Sequence, residues 1–173
     1  VIESRGLGDV YKRQQKVFVE KKDSDVVIID IDEQSLGKFG QFPWNRRVFA
    51  KILDQLNIHN PKAIGFDIFF TEKDKQSPEA IIKSYGLIPS DVADIQNLKS
   101  PDDIFSEKLK DSKSIIAVLG SNVPSHSNYD RKAKARFLSK GGDPKNFTYS
   151  YPHSIGSLEK LEKNVKGLGS ISF

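Results

Sequence analysis

The stretch from Asp25 to Phe70, DVVIIDIDEQSLGKFGQFPWNRRVFAKILDQLNIHNPKAIGFDIFF, constrains the fold more than any other. It reads as strand, loop, helix, strand. Val26 to Ile31 is an apolar run rich in β-branched residues, broken by Asp30 and closed by Asp32. Such runs suit a strand covered on both faces, as in a parallel sheet. Phe49, Ile52, Leu53 and Leu56 then recur at the spacing of one helix face, with Lys51, Asp54 and Gln55 on the other. Asn45 fits the N-cap of that helix, Arg46 and Arg47 open it, and Pro61 marks its end. Ala63 to Phe70 is predicted as the second strand. Two buried strands joined by an amphipathic helix predict a βαβ unit with a right-handed crossover.

The rest of the chain extends this alternation. Val17 to Val19 is a candidate edge strand, and Glu33 to Phe39 a short helical turn before Gly40. Short helices are expected within Pro78–Tyr85 and Ser90–Leu98. Pro101 to Asp111 is a stronger helix: Pro101 suits its first turn, and Ile104, Phe105, Lys108 and Leu109 form a stripe. Ser114 to Leu119 (SIIAVL) reads as a buried strand, Ile155 to Val165 as a short helix, and Gly167 to Phe173 as the start of another strand. Asn122 to Tyr151 has weak periodicity and reads as a long irregular stretch, of the kind that is usually functional or mobile. The expected fold class is α/β: a mainly parallel central sheet flanked by helices, in a single domain.

Composition narrows the function. A chain of 173 residues suits one domain. The net charge of +4 is mild, and no basic face interleaved with aromatics speaks for nucleic acid. The one basic cluster, Arg131 to Arg136 (RKAKAR), reads as a solvated face. With no cysteine, disulfides, cysteine zinc sites and cysteine nucleophiles are excluded. No apolar run approaches the roughly 20 residues that span a bilayer, and no signal-peptide core is visible. The chain contains no Met and reads as a fragment. Residues 1–14 (VIESRGLGDVYKRQ) have no periodicity, are similar to translated adapter sequence, and are set aside as a non-native leader. Residues 15–173 are then a domain incomplete at both ends.

Three carboxylates are the sharpest chemical feature. Asp30 and Asp32 share one side of the predicted strand, since side chains alternate. Asp67 interrupts the second apolar strand. Ligands bind at the carboxyl ends of strands in open α/β sheets. Asp30, Asp32 and Asp67, with Arg46 nearby, are therefore candidates to hold a divalent cation or a cationic group. The competing reading is structural: the carboxylates bond Arg46, Arg47, Ser35 or loop amides and shape the loop. His59, His126 and His153 share no metal-ligand spacing and are not expected to be catalytic. Pro43-Trp44 is expected to pack a loop over the core. Gly167 and Gly169 form a lone GxG without strand–loop–helix context, which is no dinucleotide fingerprint. Asp30-Ile31-Asp32 is also similar to the first motif of haloacid-dehalogenase-type phosphatases, with one Asp as nucleophile and the other as acid/base. That motif expects Thr or Val where Gln34 stands, and no later Lys and acidic pair for magnesium is evident.

VVIIDIDEQSLGKFGQFPWNRRVFAKILDQL and PKAIGFDIFFTEKD together resemble the second type of cyclase- and histidine-kinase-associated extracellular sensory domain, the CHASE type-two domain. Asp32, Ser35, Leu36, Gly40, Pro43, Trp44, Arg46, Ala50, Asp67 and Phe70 fall on the family's motif positions. Phe42 departs from the commoner Trp. The helix and strand Phe105 to Leu119 and the terminal GLGSISF also fit. The match is specific over the first half and loose over the second. The resemblance implies a sensory input domain of a bacterial membrane protein, held outside the cytoplasmic membrane by transmembrane helices that this sequence lacks. The expected output is a nucleotide cyclase, a histidine kinase (as in two-component systems) or a serine/threonine kinase. It implies no catalysis by this segment and no cofactor. The expected partner is a small-molecule or ionic stimulus of unnamed identity, and a homodimer is compatible with it.

Overall fold

The computed structural model describes residues 25–88, 93–124, 131, 134, 140–143, 146 and 148–171. The expected leader (1–14), the edge strand at Val17–Val19 and His126 lie outside the described residues. The chain divides into two compact units, Val1–Gly40 and Gln41–Phe173. The described part of the first is a run without regular secondary structure followed by helix α1 (Glu33–Phe39). The second holds α2 (Arg46–Ile58), β1 (Ile64–Phe66), α3 (Pro78–Tyr85), α4 (Ala93–Gln96), α5 (Pro101–Lys110), β2 (Ser114–Ser121), β3 (His153–Ile155), α6 (Glu159–Asn164) and β4 (Gly167–Ser170).

β2 is the hub of the sheet. β1 pairs with it in parallel from Ile64 opposite Ser114 to Phe66 opposite Ile116. β4 pairs with it in parallel from Gly167 opposite Ile115 to Ser170 opposite Val118. β3 runs antiparallel to its last residues, Ile155 opposite Leu119 and His153 opposite Ser121. Ile116 and Ala117 are consecutive and both buried. Neighbouring strand residues face opposite sides, so β2 is covered on both faces, as its unbroken apolar sequence requires. The α/β class with a mainly parallel, helix-flanked sheet is thus the one the chain adopts.

Local chemistry sets where the helices begin. Asn45 caps α2 by accepting from Arg47 N–H at 2.7 Å. Ser77 and Ser100 cap α3 and α5, and each is followed by a proline, which has no N–H to leave unsatisfied. Phe49, Ala50 and Leu53 of α2 are buried, as are Phe105 and Leu109 of α5 and Leu161 of α6. α2 packs on α5, and α5 on α6. Phe70 joins Phe49 and Phe105 in an aromatic core, its ring centroid 5.1 and 5.2 Å from theirs, both edge-on. Each such ring contributes about 1.5–3 kcal/mol by leaving water.

Three expectations are corrected. Val26 to Ile31 belongs to none of the four strands of the sheet. Val26, Val27, Ile28 and Ile29 have no regular secondary structure and are between 63% and 87% exposed. β-branched composition favours extended backbone, but burial depends on what covers it. The strand predicted over Ala63–Phe70 is also shorter, ending at Phe66. Phe70 is instead tied to the segment after β3: its N–H donates to Ser157 Oγ and its carbonyl accepts from Leu158 N–H. Ile155, expected in a helix, lies in β3, and α6 starts only at Glu159.

Candidate functional site

One cluster of buried charge in the second unit lies where α2 and α5 begin. Arg46 is the first residue of α2, and its N–H donates to Asp74 Oδ2 at 2.6 Å. Asp74 Oδ1 accepts from Asn45 Nδ2 at 3.1 Å and from Gln76 N–H at 2.8 Å. Asp74 N–H donates to Asp102 Oδ2 at 2.9 Å, in the first turn of α5. Two carboxylates thus sit at two helix N-termini, the favourable end of the macrodipole for negative charge.

The Arg46 guanidinium lies within this cluster. Nη2 donates to the Glu72 carbonyl at 3.1 Å and Nη1 to the Trp44 carbonyl at 3.5 Å. Its Cζ stands 4.6 Å from the Phe70 ring centroid, a cation–π contact in a desolvated setting. Nε approaches Asp102 Oδ1 at 3.5 Å, yet neither atom has a hydrogen bond. The pair is a charge contact without directional bonding. Burial pushes the Asp102 carboxyl above its ordinary value, against the Asp74 N–H and the Arg46 charge, which favour ionisation. Burial also lowers the Arg46 guanidinium, while Asp102 and Asp74 hold its proton on. The competing sequence reading for Arg46, pairing with a carboxylate, is what is seen; the carboxylates are Asp102 and Asp74.

The other predicted site residues are placed differently. Asp32 is the N-cap of α1 in the first unit. Its Oδ1 accepts from Ser35 N–H at 2.9 Å, and Ser35 Oγ donates to the Asp32 carbonyl at 2.7 Å. These bonds lower the Asp32 carboxyl. Asp30 is exposed in the irregular run before α1 of that unit, and Asp67 is exposed just past β1 in the second. Trp44 is buried, its ring 6.2 Å from both Phe42 and Phe49, and it follows Pro43 in the loop leading to α2. Ala50 and Phe70 are core residues. His59 is the C-cap of α2, and His153 is exposed in β3. Among the described residues, no group of three or more His, Cys, Asp or Glu is placed to hold a metal ion.

A CHASE2 domain family model matches residues 3–172. The chain belongs to the CHASE2 family. CHASE2 domains are extracellular sensory domains of signalling proteins and are not themselves catalytic. No curated protein and no solved structure matches the chain. Among the described residues, no helix is long and apolar enough to cross a membrane.

Sequence reasoning missed four residues of this CHASE2 domain. Neither Asp74 nor Asp102 stood out in the sequence as a site residue. The one available signal was the Ser-Pro-Asp at 100–102, which fixes Asp102 at a helix start but not its burial. Arg131 and Glu162 form a second buried ion pair at 2.8 Å. That corrects the solvated reading of the Arg131–Arg136 cluster at its first member.

Proposed function

We propose that the chain is the extracytoplasmic signal-input domain of a bacterial membrane-bound receptor whose output is a nucleotide cyclase, a histidine kinase or a serine/threonine kinase. The observation that carries this reading is the CHASE2 match over residues 3–172. A sensor acts only through a stimulus that binds one of its states better than another. Of the candidate ligand residues, Asp67 and Asp30 have the exposure that contact with a stimulus needs. Asp32 is engaged as a helix cap and Arg46 is buried, so their proposed ligand role is the weaker part.

The test is to recover the surrounding reading frame and fuse topology reporters on either side of this segment. The reading expects flanking transmembrane helices, a reporter active outside the membrane within this segment, and a signalling domain inside. A free-standing cytosolic product would overturn it. Magnesium-dependent phosphate-ester turnover that vanishes in Asp30→Asn would favour the phosphatase instead.

A further inference from the structure

The corner between β3 and α6 is built as a receptor for one chemical group. Every guanidinium nitrogen of Arg131 finds an acceptor there. Nε donates to Glu162 Oε1 at 2.8 Å, Nη1 to the Ser154 carbonyl at 3.1 Å and Ser154 Oγ at 3.4 Å, and Nη2 to the Ser157 carbonyl at 3.4 Å. All of these acceptors come from one short stretch, Ser154 to Glu162. These acceptors are thus brought together by the local folding of β3, the turn after it and α6.

Shape and charge both select a guanidinium. Glu162 is 1% exposed at its side chain, and its second oxygen, Oε2, has no hydrogen-bond partner. A buried carboxylate in that state has acceptor capacity to spare and needs a cation. Acceptors that engage three nitrogens at once suit a planar fork rather than the compact charge of an ammonium. Gly156 shapes the remaining side: a Cβ there would lie 2.4 Å from Glu162 Oε1 and 2.6 Å from Arg131 Nε. Lys134 does not compete for the carboxylate, because its Nζ is spent on the Lys163 and Val165 carbonyls at the end of α6.

We propose that the β3–α6 corner is a guanidinium-binding site, filled by the chain's own Arg131 and able to take a free guanidino compound in its place. The site stands on its own geometry; only its use as a stimulus site rests on the sensor reading. The test is a thermal-melting titration of the 173-residue chain with methylguanidinium at millimolar concentration, with methylammonium as the control cation. Arg131→Ala melts lower than wild type and regains a few degrees, saturably, with methylguanidinium but not with methylammonium. The wild type responds less, because Arg131 already fills the site. The response vanishes in Arg131→Ala/Glu162→Gln. Equal responses to the two cations, a response that survives in the double variant, or no response would overturn the proposal. If Arg131→Ala is unfolded in plain buffer, recovery of its folded circular-dichroism spectrum by methylguanidinium replaces the melting readout, and absence of recovery overturns the proposal equally. The topology experiment can fail without touching this titration, and the reverse.

Discussion

Among the described residues of the second unit, the side chains of Arg46 and Arg131 are both buried, and they are held in different ways. Arg46 shares two carboxylates, two carbonyls and an aromatic face, and its charge contact with Asp102 is a loose 3.5 Å. Arg131 meets the Glu162 carboxylate at 2.8 Å through a hydrogen bond, with the Ser154 and Ser157 carbonyls and Ser154 Oγ as further acceptors. The first arrangement spreads compensation over many partners, so no single one is indispensable. The second concentrates the charge pairing on a hydrogen bond to Glu162, whose other oxygen has no hydrogen-bond partner, so Glu162 is stranded without Arg131. Burial is similar in the two; dependence on the partner is what differs.

The largest expected effect comes from breaking the concentrated pair. Arg131→Met leaves Glu162 buried with no cation and should cost about 3–5 kcal/mol at neutral pH in urea unfolding. The deficit should shrink toward acid pH, since a protonated Glu162 needs no counter-charge. A cost below about 1 kcal/mol would erase the contrast.

A smaller effect is expected from Asp102→Asn, which keeps an acceptor for the Asp74 N–H and leaves Asp74 beside Arg46. It should change stability by no more than about 1 kcal/mol at neutral pH. Its pH dependence sharpens the point. Burial raises the Asp102 carboxyl above 3.8. The folded chain therefore keeps that proton longer than the unfolded one. The stability this contributes is full below 3.8 and is lost as the pH rises through the raised value. The variant cannot titrate there, so its stability relative to wild type should improve across that window. Unfolding curves run at successive pH values measure this, and a gap that widens with rising pH would contradict it.

The smallest effect is expected at Asp67, which is exposed. Asp67→Asn should stay within about 0.5 kcal/mol of wild type by thermal melting. A larger loss would mean that Asp67 belongs with the buried charges.

What the sequence made legible follows the range of the physics. Asn45, Ser77-Pro78 and Ser100-Pro101 mark helix starts through bonds that reach two or three residues, and these were readable or nearly so. The α2 face showed through its periodicity and the strand at Ser114 through its unbroken apolar run. Val26 to Ile31 misled, because its composition reports backbone preference and says nothing of cover. Arg46 finds Asp74 across 28 residues, and Arg131 finds Glu162 across 31. No local pattern announces partners at that distance. Glu162 sits among EKLEKN, where every charge looks fit for water.

Trp44 is the chain's single tryptophan, and it is buried in the residue pair just before α2. Its carbonyl touches Arg46 while its indole touches Phe49. The protein therefore carries a native fluorophore at the joint between its loosely held charge and its aromatic core. Emission wavelength and quenching, with no label attached, would report when that joint admits water.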